Sequence, residues 1–295
     1  YMNEISLIWH IYKKIGYTEV KIMNKPKIAL TIAGTDPSGG AGVMADLKSF
    51  HACGVYGMAA ITSIVAQNTK GVQHIHNLDS HWLEEQMESV FSDELPHALK
   101  TGMIASKEMM EIIQMYLKKY DNIPYVIDPV MLAKSGDSLM DDDAKANLQN
   151  ILLPYATIAT PNLPEAEEIT GITINDQQSI YQAGNIFINE IGSKGVVIKG
   201  GHSSDKNTAI DYLFTQDDVF TFEEPRYDTK HTHGTGCTFS AVITAELAKG
   251  KSMFDAVQKA KKFISLSIKH TPEIGLGRGP VNHFAYMKEV GLDDE

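Results

Sequence analysis

The chain contains little cysteine, because its 295 residues include only Cys53 and Cys237. Two thiols so far apart in the sequence do not resemble the disulfide framework of a secreted domain. They favour a reducing compartment, so we expect a cytoplasmic protein. Long hydrophobic runs are also missing: none approaches the ~20 residues that a membrane-spanning helix needs. We therefore expect no membrane partner.

Positive charge is scarce as well. The chain has 26 Lys and Arg residues against 37 Asp and Glu residues, which gives a formal net charge of −11. A protein that binds nucleic acid without regard to its sequence needs a basic face. Nucleic acid is therefore not an expected partner.

The chain lacks internal repeats, low-complexity segments and linkers, so residues 23–295 are predicted to form a single domain. Residues 1–22 differ from the rest, with apolar residues at loosely helical spacing. They have neither the continuous apolar region nor the cleavage site of a signal peptide. We interpret them as an upstream or vector-derived extension. The alternative is an added helix that docks on the domain surface.

The residues that are present predict an α/β fold. Short apolar runs of strand length alternate with segments whose apolar residues have helical spacing. The runs lie near residues 27–34, 56–69, 98–104, 124–130, 156–162 and 195–201, and a hairpin is predicted near 209–224. Alternation of this kind favours a mostly parallel sheet covered by helices on both faces.

Polar and glycine-rich loops follow most of these apolar runs. In open α/β sheets, ligands bind beyond the carboxyl ends of the strands. We therefore expect an active site where these loops meet, and the loops concerned are "AGTDPSGGAG", "AQNT", "KTGM", "DPVMLAKSGD", "TPNLPEAEE", "KGGH" and "HTHGTGC".

The last of these loops carries the second cysteine. Gly234 and Gly236 allow backbone angles that other residues resist, and an apolar helical segment begins directly after them. The free N–H groups of a helix N-terminus bind anions, so the stretch from Gly234 through Thr235 to Cys237 predicts a cradle for a transferring phosphate. The same field is expected to lower the pKa of the thiol. The alternative is an inert cysteine in a helix-starting turn.

The glycine-rich turn "GTDPSGGAG" at 34–42 matches neither the P-loop nor the dinucleotide-binding pattern. By itself it is compatible with an ordinary tight turn. Asp46 lies one turn into the helix that follows, where a carboxylate could accept a hydrogen bond from a ligand amino or hydroxyl group. The alternative for Asp46 is a charge on a solvated helix face.

Asn162 and Glu165 lie three residues apart at a strand-to-helix junction, so both are expected on one side of the helix. Oxygen ligands of this kind suit Mg²⁺ together with phosphates and water. The simpler alternative is a helix start with favourable acidic residues. Lys199 ends a buried strand and could reach a triphosphate, or it could extend along the sheet edge into solvent.

Two further segments have possible functional roles. Gln67 and its neighbour Asn68 end an apolar strand and could pair with the edge of a heteroaromatic ring, or could simply cap the strand. The segment 133–137 is small and polar, as expected of a mobile flap or of any surface loop. His74 and His76 have no partners that would complete a metal site, so we interpret them as surface residues.

Taken together and in order, these motifs resemble one family. The stretches "ALTIAGTDPSGGAGVMADLKSF", "AQNTKGVQ", "DPVMLAKSGDSL", "TPNLPEAEEITG", "VVIKGGH" and "TKHTHGTGCTFSAVITAELAKG" are similar to those of the hydroxymethylpyrimidine/phosphomethylpyrimidine kinases of thiamine biosynthesis. That family has the ribokinase-like fold. The resemblance runs from about residue 26 to about residue 286 and excludes residues 1–22.

The resemblance implies transfer of the γ-phosphoryl of ATP, with Mg²⁺, to 4-amino-5-hydroxymethyl-2-methylpyrimidine and then to its monophosphate. It implies a homodimer and leaves a monovalent cation open. The site residues that it implies fall into four groups. They are the substrate contacts Gly34, Asp46, Gln67, Met103 and Val130; the nucleotide contacts Asn162, Glu165, Lys199 and Thr232, of which Asn162 and Glu165 also serve the metal; the cradle Gly234, Thr235 and Gly236; and the general base Cys237.

One related activity stays open. The pyridoxal kinases share the scaffold, but they resemble this chain less because they carry Met-Asp at positions 67 and 68 and often a cysteine at position 133. This chain has Gln67, Asn68 and Ala133 instead. The resemblance therefore favours the pyrimidine as substrate, with vitamin B6 kinase or a dual activity as the alternative.

Overall fold

The computed structural model describes residues 25–131, 142–200 and 207–290. In this part of the chain, eight strands form one sheet in the order β10-β9-β8-β7-β6-β5-β1-β2. The six strands from β8 to β2 run parallel, and β9 and β10 add an antiparallel edge. The strands of this sheet are β1 (Ile28–Ala33), β2 (Tyr56–Ile61), β5 (Ala98–Thr101), β6 (Tyr125–Ile127), β7 (Ile158–Ala159), β8 (Gly195–Lys199), β9 (Thr208–Thr215) and β10 (Val219–Pro225).

Helices cover both faces of the sheet. The described helices are α1 (Gly42–Ala52), α2 (Ser80–Asp93), α3 (Lys107–Lys119), α4 (Asp142–Ile151), α5 (Leu163–Thr170), α6 (Gln177–Asn185), α7 (Thr235–Ala248), α8 (Met253–Lys269) and α9 (Ala285–Val290), with a π-helical turn at Ile186–Ile191 after α6. The three-layer α/β architecture predicted from the alternating pattern is confirmed.

Two hydrophobic cores lie on opposite faces of the sheet. Leu30 and Ile32 of β1 belong to the core under helices α2 to α6, whereas Ala29 belongs to the core under α1, α7 and α8. Successive strand residues point to opposite faces, so a strand buried on both sides reads as a continuous apolar run. Helix α7 is buried on almost every side, since eleven of its fourteen residues are buried.

The prediction of a single strand over residues 56–69 is wrong, because the segment forms two strands. Strand β2 ends at Ile61, and the chain continues into β3 (Ser63–Asn68), which leaves the main sheet and pairs only with β4 (Gly71–Asn77). The change occurs at Thr62, which is fully buried and whose Oγ1 donates to the carbonyl of Met103 at 2.8 Å. Tertiary hydrogen bonds at this residue outweigh the local strand preference.

The ribbon formed by β3 and β4 is itself irregular at one point. Its register shifts between Ala66 and Gln67. A bulge bends its strand and redirects the side chains beyond it. The bulge thus lies next to the glutamine that the sequence assigns to the substrate. His74 and His76 are exposed on β4, as expected.

Two sequence-based predictions concern parts of the chain outside the described residues, namely the extension 1–22 and the flap 133–137. Within the described ranges, no helix is both long enough and apolar enough to cross a lipid bilayer.

Candidate active site

A cavity of about 990 Å³ opens beyond the carboxyl ends of the parallel strands. Ala33 at the end of β1 and Lys199 at the end of β8 both line it. The loop after β6, at Asp128, and the N-terminus of α7 complete the wall. The cavity therefore lies at the edge of the sheet where the sequence predicts the site.

The glycine-rich loop 34–42 is organised by the buried carboxylate of Asp36. Its oxygens accept hydrogen bonds from the N–H groups of Ser38, Gly40 and Ala41 at 2.9, 3.2 and 2.8 Å. His233 Nε2 lies 2.7 Å from Asp36 Oδ2, which ties this loop to the loop before α7. Burial acts to raise the pKa of Asp36, but the hydrogen bonds from His233 and Ser38 outweigh it and hold that pKa below its usual value.

Two close backbone approaches, one between these loops and one within the loop 34–42, require glycine. Gly234, which caps the N-terminus of α7, has φ +79°, and a Cβ there would lie 1.7 Å from the carbonyl oxygen of Gly40. Gly42 at the start of α1 has φ +55°, and its Cβ would lie 2.3 Å from the carbonyl oxygen of Gly34. The N-termini of two helices, α1 and α7, are thereby brought to one wall of the cavity.

Cys237 lies in the first turn of α7 and lines the cavity. Gly42, whose N–H favours the thiolate, lies near its sulfur. The predicted lowering of the thiol pKa is nevertheless wrong for this structure. Burial raises the pKa of Cys237 to about 12, and the carboxylates of Asp46 and Asp128 add to that effect, against the opposing charge of Lys100. The helix N-terminus does not compensate for the partial loss of hydration at the thiol and for the two nearby carboxylates.

Asp46, predicted to contact the substrate, does not line the cavity. Its side chain is fully buried, and Lys100 Nζ donates to both of its carboxylate oxygens at 2.9 and 2.8 Å. Thr31 Oγ1 donates to the same carboxylate at 2.6 Å. A helix residue facing the sheet has no solvent to share its charge, so Asp46 is held by a cation instead of a ligand.

Lys100 is therefore a site residue that the sequence analysis missed. It lines the cavity and its side chain is fully buried. Burial works against its charge, but Asp46 outweighs burial and holds the pKa of Lys100 above its usual value. The sequence signal that could have identified it is a lysine within the short, otherwise uncharged strand "ALKT".

Asp128 is a second missed residue, and it directly follows β6. Lys199 Nζ donates to Asp128 Oδ1 at 3.1 Å, and both residues line the cavity. The pair lies beside the start of α7, because a Cβ added at Gly236 would be 3.3 Å from Asp128 Oδ2 and 3.5 Å from Lys199 Nζ. The predicted cradle thus has a cation and a carboxylate next to it.

Asn162 and Glu165 both line the cavity and form a reciprocal cap at the start of α5. Asn162 Oδ1 accepts from the N–H of Glu165 at 2.9 Å, and Glu165 Oε2 accepts from the N–H of Asn162 at 2.8 Å. The helix-start alternative is therefore realised. The same cap fixes the Glu165 carboxylate on the cavity wall. Burial works against the charge of Lys199, but Asp128 and then Glu165 outweigh it and hold the pKa of that lysine above its usual value.

The oxygen donors of this wall fit a magnesium ion. Mg²⁺ is typically held by one or two carboxylates and by substrate phosphates, and not by a cage of protein ligands. Asp128 and Glu165 supply carboxylates on one cavity. Across the ranges that the structure describes, no group of three or more His, Cys, Asp or Glu side chains forms a ready metal site.

The other predicted residues divide into two groups. Thr232 does not line the cavity; its carbonyl oxygen accepts from the N–H and Oγ1 of Thr235 at 3.3 and 2.7 Å and so supports the turn before α7. The residues that do line the cavity, besides those described above, are Gly34, Gln67, Met103, Val130, Thr235 and Gly236.

Comparison with known proteins identifies clear relatives. A family model described as phosphomethylpyrimidine kinase matches residues 36–282. The hydroxymethylpyrimidine/phosphomethylpyrimidine kinase of Staphylococcus aureus strain MSSA476 is 74% identical over 273 residues, which cover 92% of this chain and 99% of the relative.

Two solved structures show that the backbone fold alone does not separate phosphomethylpyrimidine kinases from pyridoxal kinases. Phosphomethylpyrimidine kinase from Clostridium difficile 630 matches with 43% identity and a TM-score of 0.73, over 82% of this chain and 99% of its own. The pyridoxal kinase of Staphylococcus aureus matches with 34% identity and a TM-score of 0.82, over 89% of this chain and 95% of its own. The backbone resembles both kinds of kinase, and sequence identity is what favours the first.

Proposed function

The chain belongs to the phosphomethylpyrimidine kinase family, which has the ribokinase-like fold. On that premise we propose that it phosphorylates 4-amino-5-hydroxymethyl-2-methylpyrimidine and then the resulting monophosphate. ATP is the donor, and the reactions belong to thiamine biosynthesis. The enzyme is a kinase. The observation that supports this reaction best is that the N-terminus of α7, Lys199 and Gln67 all face one cavity. A phosphate cradle and an amide for a heteroaromatic edge are the two parts such a reaction needs.

The phosphate end of the reaction belongs to α7. The N–H groups of Gly234 and Gly236 lie at the positive end of the helix dipole, where they would stabilise charge on a phosphoryl group in transfer, and Thr235 between them holds the turn through Thr232. Lys199, beside Gly236, offsets charge on the nucleotide phosphates. Asn162 and Glu165, the predicted metal residues, would hold Mg²⁺ together with Asp128, and the ion when bound would neutralise charge on the same phosphates.

The other end of the cavity selects the acceptor. The side-chain amide of Gln67 can donate and accept at once, as the aminopyrimidine edge requires. Gly34, Met103 and Val130 lie on the same cavity and enclose the ring. A pocket built to hydrogen-bond one edge discriminates strongly against analogues that lack its polar groups, because the amide of the protein is then left unpaired.

Cys237 is placed to accept the proton of the acceptor hydroxyl. Because burial raises the pKa of Cys237 to about 12, the group is a thiol and not a thiolate at neutral pH. Phosphoryl transfer through a loose transition state needs little removal of the proton before the new bond forms. Only the thiolate can accept this proton, so we assign Cys237 to a proton transfer that follows loss of the thiol proton to solvent, which the charge of Lys100 favours.

Several finer properties rest on the family resemblance and on composition. The enzyme is proposed to be a cytoplasmic homodimer with one kinase domain over residues 23–295, outside which residues 1–22 lie. Neither Cys53 nor Cys237 takes part in a disulfide, which is consistent with a reducing compartment. A monovalent cation that assists the reaction is compatible with the carboxylates of the cavity.

A two-substrate panel tests the proposed function. The purified chain is incubated with ATP, Mg²⁺ and either the pyrimidine alcohol or pyridoxal, and the products are analysed by mass. We expect the pyrimidine to gain one and then a second phosphoryl group. Turnover of pyridoxal with none of the pyrimidine would reject the assignment.

A vitamin B6 kinase is the second candidate, since the TM-score to a pyridoxal kinase reaches 0.82. The variant Gln67→Met separates the two. A pyridoxal kinase needs no amide at this position, so pyridoxal turnover should survive the change. A pyrimidine kinase should lose pyrimidine turnover while nucleotide binding is retained, which equilibrium titration with ADP checks.

A further inference from the structure

Strand β9 carries a buried carboxylate that none of the reaction steps above uses. Asp211 lies within the apolar stretch "AIDYLF" and is only 5% exposed. Aspartate is uncommon in strands, and a buried carboxylate is unfavourable unless it has partners. Its Oδ2 accepts a hydrogen bond at 2.8 Å from Nζ of Lys261, a buried lysine on α8. The two opposite charges therefore compensate each other inside the protein.

The other oxygen of this carboxylate holds the end of β8. Asp211 Oδ1 accepts a hydrogen bond from the buried N–H of Gly200 at 2.9 Å. Gly200 directly follows Lys199, the last residue of β8, which is paired with Asp211 in the antiparallel ladder. The fit is tight, because a Cβ at Gly200 would lie 1.9 Å from the carbonyl oxygen of Ile210. A side chain of β9 thus fixes the main chain where β8 leaves the sheet.

Lys199, at this point of the chain, is the cation that the proposed reaction uses at the nucleotide phosphates. Its Nζ faces the cavity and donates to Asp128 Oδ1 at 3.1 Å, beside the start of α7. Its N–H donates to the carbonyl oxygen of Pro161 at 2.9 Å, toward β7. The backbone around this lysine is therefore held on both sides, by the main chain toward β7 and by the Asp211 carboxylate toward β9.

We propose that Asp211 is a positioning residue for Lys199. By binding the N–H of Gly200, it sets where the lysine ammonium meets the nucleotide phosphates, and Lys261 compensates its charge. The inference rests on the proposed function and adds to it a residue that does not line the cavity. A displacement of about 1 Å at a functional group can reduce a rate by ~10², so the position of the ammonium matters as well as its presence.

Two double variants of the full chain separate the hydrogen bond from the charges. Lys261→Met with Asp211→Asn removes both charges, but the amide oxygen can still accept from the N–H of Gly200. Lys261→Met with Asp211→Leu removes both charges and the acceptor, with a side chain of similar size. Asp211→Val in place of Asp211→Leu gives the same comparison if the larger side chain prevents folding.

The measurement is ligand affinity, by calorimetry with Mg²⁺ present. One ligand is AMP-PCP, an ATP analogue that resists hydrolysis, and the other is the pyrimidine alcohol. The variant Lys199→Met shows what the ammonium itself contributes to nucleotide affinity. The melting temperature of each variant is recorded, because a residue that only stabilised the fold would change that temperature and leave the affinities of the folded protein equal.

We expect the Leu double variant to bind AMP-PCP about tenfold more weakly than the Asn double variant. A charge-assisted hydrogen bond to phosphate is typically worth about tenfold or more in affinity, and a displaced ammonium loses it. The affinities of the two variants for the alcohol should agree within about twofold, because the acceptor is assigned to Gln67 and not to Lys199.

Equal AMP-PCP affinities of the Asn and Leu double variants would overturn the inference, as would equal losses of affinity for AMP-PCP and for the alcohol. If Lys199→Met binds AMP-PCP as tightly as the wild type, the inference fails together with the assigned role of that lysine. The proposed function fails separately, if the wild type binds AMP-PCP but phosphorylates neither the pyrimidine alcohol nor its monophosphate. The comparison of the two double variants then still decides whether Asp211 positions Lys199.

Discussion

The buried pair of Lys100 and Asp46 allows a prediction whose size follows from the structure. Both side chains are fully buried and joined by hydrogen bonds of 2.9 and 2.8 Å. The substitution Lys100→Met keeps the apolar stem of the side chain but removes its charge. Of the partners described above, Thr31 alone then still bonds the buried carboxylate of Asp46. Removing one partner of a buried pair typically costs ~3–5 kcal/mol. At ~2–4 °C per kcal/mol for a domain of this size, the melting temperature should fall by about 6–20 °C.

The loss of folding stability caused by Lys100→Met should depend on pH in a defined direction. Burial raises the pKa of Asp46, and without Lys100 nothing of comparable charge opposes it. A carboxyl whose folded pKa lies above its unfolded pKa stabilises the fold at low pH, and that contribution is lost as the pH rises through the folded pKa. Lys100→Met should therefore be least destabilising in acid and most destabilising at neutral pH.

Urea denaturation from pH 4 to pH 8 measures both effects. The matched control is the double variant Lys100→Met with Asp46→Asn, which removes both charges and should recover most of the stability. A loss below about 1 kcal/mol for the single variant would refute the reasoning, because it would mean that the pair is not desolvated. A double variant no more stable than the single one would refute it as well.

Three further predictions concern the two loops at the start of α1 and α7. Gly234→Ala should reduce kcat by ~10²–10³, because a Cβ 1.7 Å from Gly40 O moves the cradle; a steady-state rate within threefold of wild type would contradict this. Alkylation of Cys237 by iodoacetamide should accelerate about tenfold per pH unit from pH 7 to 10, since its pKa is about 12; with Cys237→Ser as background, a plateau below pH 9 would disagree. Asp36 has a lowered pKa, so its contribution to the unfolding free energy is present above 3.8 and is lost as pH falls through the folded value. In urea denaturation, the unfolding free energy of Asp36→Asn should not show this decrease at acid pH. A decrease equal to that of the wild type would contradict the prediction.

The fold and the location of the site could be predicted because both depend on local pattern. Apolar runs followed by polar loops predict parallel strands and a ligand site at their carboxyl ends. The break at Thr62 could not be predicted in the same way. It depends on a hydrogen bond to Met103, 41 residues further along the chain.

The missed residues and the misjudged pKa have a common physical origin. Lys199 was found because it ends an apolar strand, and the same rule applied to "ALKT" and "VIDPV" would have found Lys100 and Asp128. That Lys100 binds Asp46, 54 residues away, is decided by packing alone. The same packing removes water from the thiol of Cys237 and places two carboxylates near it, and burial first, with their charge adding to it, reverses the pKa shift that the helix N-terminus predicts.

The central claim is that α7 holds the transferring phosphoryl group while Cys237 accepts the proton of the acceptor. The most direct measurement is the kcat of Cys237→Ala for the pyrimidine alcohol, taken together with the dissociation constant of that alcohol. Loss of a general base should lower kcat by ~10²–10⁴ and leave the dissociation constant within about twofold of wild type. A kcat within threefold of wild type, or a loss of affinity as large as the loss of rate, would contradict the claim.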